Sequence, residues 1–398
     1  MKIITANNKC FTRTSLRDKI NQYKKELKSK PYVNMLSKEW EDHLAVYTAW
    51  QEVGGTVLIN NPLNPLDFQT RTLENMDRLS PKDAICFLTS GTTGLNKIVV
   101  NKEKQLLHAA RVVQSMPGWD PDDPLDYVST MPAFTSGFWH IVLAPAVMVN
   151  KTCTMITPAT NPTGLGNVLM TSTGALEQFK LQHPTLNFHG YKYVNAGASQ
   201  VLPKHADIAF DRGAENFYIT YGMSETTSPS LTRVTNIRDK NVDCMDFKPI
   251  EGSPYEIKLV DGELWVRGDG VCENAADFNS EDGWFKTNDY FDHVTDDLVR
   301  FNGRASDYVQ MNGFKASLLV IENVIAESDC INGEVLAVKH NRLGSDYIEL
   351  KHTDPNIKIT IAQIQDLLQD KLPKCNIPRQ FTFVDSIPKN PLGKKMRR

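Results

Sequence analysis

Several large classes are excluded by what the 398-residue chain does not contain. Its seven cysteines (Cys10, Cys86, Cys153, Cys244, Cys272, Cys330 and Cys375) stand singly, with no CxxC pair. That spacing argues against a zinc cluster and against a disulfide framework. Nine histidines include no HExxH pattern. There is no Walker A loop, written G-x-x-x-x-G-K-S/T, and no evident Ser-His-Asp pattern. The opening residues, MKIITANNKCFTRT, lack the apolar centre of a secretory signal. The longest apolar stretch, residues 141–149, is too short to span a bilayer and contains Pro145. A net charge of −3 supplies no basic field for nucleic acid or an anionic membrane surface. There is no internal repeat and no low-complexity tract. The expectation is a cytoplasmic, enzyme-sized protein. At 41% hydrophobic and 23% charged residues, its composition is ordinary for a large core, and its length suggests roughly two or three domains.

What the chain does contain is concentrated in TSGTTGLNK, residues 89–97. Thr89, Ser90, Thr92 and Thr93 bring hydroxyl donors, Gly91 and Gly94 bring conformational freedom, and Lys97 brings positive charge. Such a loop lets successive backbone N–H groups converge on an anion. Its chemistry is that of a polyphosphate grip, or else of a polar turn between two strands.

Helical periodicity is expected over residues 15–28, with Ser15 as N-cap, and over 39–52, where Trp40, Leu44 and Tyr47 share a face. From about residue 84, short β-branched runs (84–88, 98–100, 191–194, 217–220) alternate with glycine-rich turns and a helical segment at 104–114. That alternation predicts an α/β protein with buried sheets. Residues 255–302 read as strand-rich, with Asp261-Gly262 as a hairpin turn. A boundary near residue 304 divides the chain into 1–303 and 304–398. The second part carries a helix at about 360–372, opened by a Thr360/Gln363 capping box, and a last strand at 380–387. The fold expected is a large α/β domain with a β-rich subdomain, followed by a small α+β domain.

Four further segments carry candidate chemistry. In NAGASQVLP (195–203), Ala196, Gly197 and Ala198 leave room for a flat ligand, or simply make a tight strand-to-helix turn. In YITYGMSETTS (218–228), Tyr221 offers a stacking face, Ser224 a hydroxyl, and Glu225 either a surface carboxylate or the hard oxygen that Mg²⁺ prefers beside substrate phosphates. Asp289, read as ending a strand, can accept two ribose hydroxyls. Arg304 can reach phosphate or ribose as a planar donor. Asp292, Asp296 and Asp297 read as hairpin-turn acids. The last segment is Asn390-Pro391-Leu392-Gly393-Lys394, a lysine on a glycine-bearing loop or a solvated tail.

In this order the segments resemble the adenylate-forming superfamily of acyl- and aryl-CoA synthetases, nonribosomal peptide synthetase adenylation domains and firefly luciferase. TSGTTGLNK resembles its phosphate loop, with Asn96 where proline is usual. YGMSE (221–225) resembles YGxTE, and KTND (286–289) resembles TGD with Asn288 for glycine. GELWVRG (262–268) and GRASDYVQMNGFKASLLVIENVI (303–325) fit the segments on either side of the domain junction. NPLGKKMRR fits the C-terminal lysine loop. The motifs run from about residue 87 to the end. Residues 1–80 carry none, and they are shorter than the family's usual N-terminal part, which suggests a trimmed large domain.

The resemblance implies ATP-dependent activation of a small carboxylic acid as an acyl-adenylate, with release of pyrophosphate. Transfer to a thiol follows, on CoA or on a carrier-protein phosphopantetheine. The implied cofactors are ATP, Mg²⁺ and one of those thiols; a homodimer is left open. By the resemblance, Thr89, Ser90, Gly91, Thr92, Thr93, Gly94 and Lys97 hold the β- and γ-phosphates. Ala196, Gly197, Ala198, Tyr221 and Gly222 form the adenine slot. Ser224 contacts the α-phosphate and Glu225 binds Mg²⁺. Asp289 and Arg304 hold the ribose, and Lys394 bridges the substrate carboxylate and α-phosphate. A hinge for rotation of the small domain falls at Ser306, and Gly313 leaves room for a pantetheine chain beside Phe314.

The acyl pocket is expected at 131–140, with Phe134, Phe138 and Trp139, joined by Met223. The three aromatics suit an apolar or aromatic acid and suit core filling equally. Thr135 stands where CoA ligases often carry histidine. No aspartate lies between Tyr127 and Val149 to pair with an α-ammonium, which disfavours an amino acid. Two alternatives stay open: an enzyme that passes the adenylate to an amine or alcohol, and a non-catalytic nucleotide-binding homologue.

Overall fold

The computed structural model describes residues 2–5, 9–89, 97–115, 126–197, 201–227, 229–236, 246–250, 255–277, 279–311, 314–326, 328, 331–342, 345–357, 360–368, 377–389 and 395–397. They form two compact units. The N-terminal unit comprises Met1–Lys258 with Trp265–Thr287, and the C-terminal unit comprises Leu259–Leu264 with Asn288–Arg398. The division therefore falls earlier than the junction expected near residue 304, and it takes in the 261–262 turn.

The N-terminal unit is α/β. In its smaller sheet, Val33–Met35, Thr56–Ile59 and Ala84–Thr89 run parallel, and Lys97–Asn101 closes the margin antiparallel. Strand periodicity sends alternate residues to opposite faces. Val57, Ile59, Ile85 and Phe87 accordingly join one buried cluster, while Leu58, Ala84, Cys86, Ile98 and Val100 join another. A sheet covered on both faces reads as a continuous apolar run, which is why residues 84–88 were legible as a strand. The larger sheet runs in the order Asp246–Pro249, Pro229–Asn236, Asn216–Gly222, Tyr193–Gly197, Val168–Ser172, Tyr127–Ser129, Thr152–Met155, Lys2–Thr5, Cys10–Thr12. Its centre is parallel and its margins are antiparallel.

Two expectations for the first helices change. Helix Arg17–Ser29 overlaps the expected 15–28 stretch and buries Ile20 and Leu27, but Ser15 does not cap it. The Ser15 hydroxyl is used in a local turn, accepting from the Thr12 N–H (2.8 Å). Helix Trp40–Val53 is buried along residues 43–50 instead of on one stripe. A helix apolar on all sides belongs inside a core.

Residues 138–143 form a π-helical turn, Phe138–Leu143, leading into Ala144–Met148. Pro145 sits at the start of that second helix; it has no N–H, and its ring would crowd the carbonyl four residues back, so a wider turn relieves the clash. The turn drives Phe138 and Trp139 inward, and both are 0% exposed. The Trp139 indole N–H faces the His43 Nδ1 and the Ala133 carbonyl (3.2 Å each). The other His43 nitrogen lies 3.0 Å from the Ser37 carbonyl, so His43 is the neutral tautomer with its proton on Nε2.

The C-terminal unit is α+β. Val335–Arg342 and Ser345–His352 form a hairpin, joined in parallel by Gln380–Phe383. Tyr308–Met311 and Phe314–Ser317 form a second hairpin. Helices Leu318–Ala326 and Ile361–Leu368 enclose a core that includes Ile321, Ile325, Ile348, Leu350, Ile364 and Leu368. The capping box is formed, with the Thr360 N–H on Gln363 Oε1 (2.7 Å) and the Gln363 N–H on the Thr360 hydroxyl (3.3 Å). The described helix ends at Leu368, and the last strand ends at Phe383 instead of residue 387. Asp261 and Gly262 adopt φ of 50° and 80°, the paired positive values of a tight hairpin turn.

Replacing Trp139 with alanine empties the centre of the core and is expected to lower the unfolding free energy by about 3–5 kcal/mol, read by urea titration. Burial pulls His43 and His108 down to about 4 and His140 to about 3. Each stays neutral when folded while the unfolded chain takes up its proton near 6.5. Their contribution is complete above that value and is lost as pH falls from 6.5 toward 4, and toward 3 for His140, so the urea midpoint should drop across that window.

Candidate nucleotide site

The phosphate-loop segment joins two paired strands. Ala84–Thr89 and Lys97–Asn101 are antiparallel, and Thr89 lies directly opposite Lys97. Both ends of the segment are therefore fixed by the ladder. Ser90, Gly91, Thr92, Thr93 and Gly94 lie outside the described residues, as do Ala198, Gly313 and Lys394. Lys97 and Thr89 are half-buried.

The strand Lys97–Asn101 is the margin of its sheet, and residues 271–275 lie along it. The Asn274 side chain accepts from the Val100 N–H (3.0 Å) and donates to the Ile98 carbonyl (2.9 Å). The Glu273 N–H donates to the Val100 carbonyl (2.9 Å). The same segment reaches the Glu225 turn, because the Cys272 N–H donates to the Glu225 carbonyl (2.8 Å). Val99, Cys272, Ala275 and Phe285 pack together, with Met223 and Val271 against them. Met223 therefore spends its side chain on this packing.

Ala196 and Gly197 end one parallel strand, and Tyr221 and Gly222 end its neighbour. Both pairs lie at the carboxyl ends, where open α/β sheets bind ligands. Gly197 is closely approached: a Cβ there would sit 3.1 Å from the Thr220 hydroxyl oxygen, which would have to give way by a few tenths of an ångström. The ladder slips between Tyr221 and Gly222. Such a bulge re-aims the chain, here into the turn Ser224–Thr226. The turn ends at Thr227, which is fully buried at φ 57°. A β-branched residue there is strained, and the strain is held by the Thr227 hydroxyl on the Gly270 carbonyl (3.0 Å) and by the Tyr255 hydroxyl on the Thr226 carbonyl. Strain of this kind concentrates at functional turns.

Ser224 has a partner that the sequence did not reveal. Its hydroxyl lies 2.6 Å from that of Ser136. Ser136 stands in the expected acyl-pocket segment, between Thr135 and the aromatics Phe138 and Trp139. Phe134 is half-buried, whereas Phe138 and Trp139 are fully buried within the main hydrophobic cluster. Those two fill the core and do not line a pocket. His140 is likewise enclosed, with the Asn101 amide nitrogen 3.1 Å from its Nε2.

In the C-terminal unit, Asp289 lies inside the strand Trp284–Thr295, not at its end. Opposite it in the ladder is Arg304. The two form an ion pair, Nε to Oδ1 3.0 Å, with Asp289 1% exposed and Arg304 one-third exposed. Asn288 adopts φ 58° beside it, a left-handed conformation that asparagine tolerates better than most residues. The Asn288 N–H is held by Glu263 (2.8 Å). Ser306 is exposed in the short turn Ala305–Asp307, and the Arg304 N–H donates to Asp307 (3.2 Å).

The lysine loop is also closed at its base. Lys389 bridges to Lys395, and the Met396 N–H donates to the Pro388 carbonyl (2.8 Å). The Lys395 ammonium donates to the Val335 carbonyl (2.7 Å). Arg397 pairs with the buried Glu322 carboxylate (2.8 Å) and faces Asp307 (3.6 Å).

Among the described residues no three His, Cys, Asp or Glu side chains converge as a metal cage. A half-buried carboxylate beside a hydroxyl, as at Glu225 and Ser224, suits Mg²⁺, which keeps several waters and takes the rest of its ligands from substrate phosphates. Among the described residues no helix is long and apolar enough to cross a membrane.

The family model for AMP-binding enzymes matches residues 10–274, and the chain belongs to that family. The match begins well before residue 80, so the motif-free N-terminal stretch is part of the family domain. The chain is 26% identical over 359 residues to bacitracin synthase 2 of Bacillus licheniformis, covering 82% of this chain and 14% of that protein. It is 25% identical over 344 residues to a methyl-dioxo-octahydro-indenyl-propanoyl:CoA ligase of Rhodococcus jostii (strain RHA1), covering 80% of this chain and 65% of that one. It thus spans less than two thirds of either curated relative. The crystal structure of ATP-bound MatB from Rhodopseudomonas palustris superposes with a TM-score of 0.82 at 17% identity, over 99% of this chain and 93% of that one. The expected fold, a large α/β domain with a small α+β domain, is the one found.

Replacing Ser136 with alanine removes the partner of the Ser224 hydroxyl. It is expected to lower the unfolding free energy by about 1 kcal/mol, measured by urea titration.

Proposed function

We propose that the protein activates a carboxylic acid with ATP, forming an acyl-adenylate and releasing pyrophosphate, and then transfers the acyl group to a thiol. The supporting observation is the joining of the Lys97 strand and the Glu225 turn through residues 271–275, in a chain of the AMP-binding family. The substrate carboxylate oxygen bonds to the α-phosphorus, and the bond from that phosphorus to the bridging oxygen breaks. Two anions must approach, so catalysis rests on neutralising charge. In this reading Lys97, with Thr89, Ser90, Gly91, Thr92, Thr93 and Gly94, holds the departing phosphates. Glu225 holds Mg²⁺, which when bound supplies further neutralisation. Ser224 meets the α-phosphate, and Lys394 bridges it to the attacking carboxylate. Ala196, Gly197, Ala198, Tyr221 and Gly222 receive the adenine, and Asp289 and Arg304 the ribose. The nucleophile arrives ionised, so no general base is required.

The thiol step attacks the acyl carbonyl and expels AMP. CoA or a carrier-protein phosphopantetheine is the proposed acceptor, approaching past Gly313, with the 304–398 segment turning about Ser306 between steps. With Phe138 and Trp139 in the core, the case for an apolar acid rests on Phe134 and on the absence of a carboxylate from residues 128–148. A cytoplasmic setting accords with the free Cys86, Cys153 and Cys272.

The test is carboxylate-dependent ATP–pyrophosphate exchange over aryl, short-chain and fatty acids. Exchange is expected with one acid class, and Lys394→Ala should slow it roughly 10²–10³-fold, the loss of one electrostatic donor. Adding CoA to that acid should then yield a thioester. ATP binding without exchange for any acid would favour the non-catalytic reading.

A further inference from the structure

We propose that Asn274 is a positioning residue of this site, holding the Lys97 strand at a fixed spacing from the Glu225 turn. The inference rests on the proposed MgATP site and adds a residue that touches neither ligand nor metal.

The argument starts from the margin of a sheet. Among the described residues, strand Lys97–Asn101 has a strand partner, Ala84–Thr89, on one side only. On its other side the Ile98 carbonyl and both Val100 peptide groups need partners, and an unpaired backbone group in a buried setting is costly. Water would satisfy them but would let the strand end fray, and Lys97 is its first residue. A carboxamide is a peptide group on a side chain, with one donor and one acceptor side by side. Asn274 places its oxygen on the Val100 N–H and its nitrogen on the Ile98 carbonyl, as a neighbouring strand would. Aspartate could accept but not donate, and alanine could do neither.

What distinguishes this from ordinary sheet repair is the other end of the segment. Two residues before Asn274, the Cys272 N–H holds the Glu225 carbonyl. A third element anchors the same stretch, because buried Gln105 donates from Nε2 to the Val271 carbonyl and the Glu273 carboxylate (3.1 Å each). One short segment thus bonds to the strand that begins at Lys97 and to the residue proposed to hold Mg²⁺. These two groups serve the β- and γ-phosphates and the metal, and neither is needed for AMP. The adenine and ribose residues, Ala196, Gly197, Tyr221, Asp289 and Arg304, make none of the Asn274 hydrogen bonds.

Loss of the clamp should therefore separate the two nucleotides. The experiment is calorimetric titration of wild type, Asn274→Ala and Asn274→Asp with MgATP and, separately, with AMP. Both variants should bind MgATP about 10-fold more weakly, equivalent to about 1.4 kcal/mol, with AMP affinity within about two-fold of wild type. Half-saturation by Mg²⁺ at fixed ATP should move upward. Partial unfolding lowers both affinities by the same factor, so the MgATP-to-AMP ratio reports positioning alone. Asn274→Asp preserves side-chain volume and decides the matter if the alanine variant folds poorly. Equal weakening of both nucleotides, or no change in either, overturns the inference and leaves the nucleotide reading standing. A wild-type protein that binds neither overturns both.

Discussion

The strand that begins at Lys97, where the glycine- and hydroxyl-rich segment ends, has among the described residues a strand partner on one side only. Much of the N-terminal site follows from how the open side is filled. Residues 271–275 supply the missing partner and pack Val99, Cys272, Ala275 and Phe285 into a small core of their own. Through the Cys272 N–H the same residues fix the Glu225 turn, whose strained end at Thr227 is held by Gly270. A loop rich in glycine and hydroxyls cannot set its own geometry. The ends at Thr89 and Lys97 are paired with each other, and the strand that begins at Lys97 is held by a segment distant in the chain.

That distance explains what was legible in the sequence. The 261–262 turn, the Thr360/Gln363 capping box and the strands flanking residues 89–97 depend on neighbours a few residues apart. Asn274 acts on Val100 and Ile98, and Ser136 on Ser224, across separations that carry no local signature. The aromatics at 138 and 139 left two readings open for a different reason. A core and a pocket use the same residue types, and only the π-helical turn before Pro145 decides which way they face. Asp289 was not legible as part of a continuous strand, since the left-handed Asn288 interrupts the pattern that marks one.

Both lysine-bearing segments share a design. Each is closed by a directly opposed pair, Thr89 with Lys97 and Lys389 with Lys395. A flexible cationic side chain is useful to a reaction between anions only if its backbone is not equally free, because ordering it at the moment of reaction would consume the attraction it offers.

The closure of the second loop sets Lys395 and Arg397 against a buried carboxylate. Glu322 is almost wholly buried, and burial raises its pKa against the pull of Arg397 and Lys395. Those cations arrive from the final four positions, while the Ala337 N–H supplies a hydrogen bond (2.8 Å) but no charge. Loss of both cations would thus do more than remove two side chains from the surface. It would strand a carboxylate inside the small unit without those countercharges, so that chemistry at residues 395 and 397 reads out in the stability of a helix more than seventy positions away.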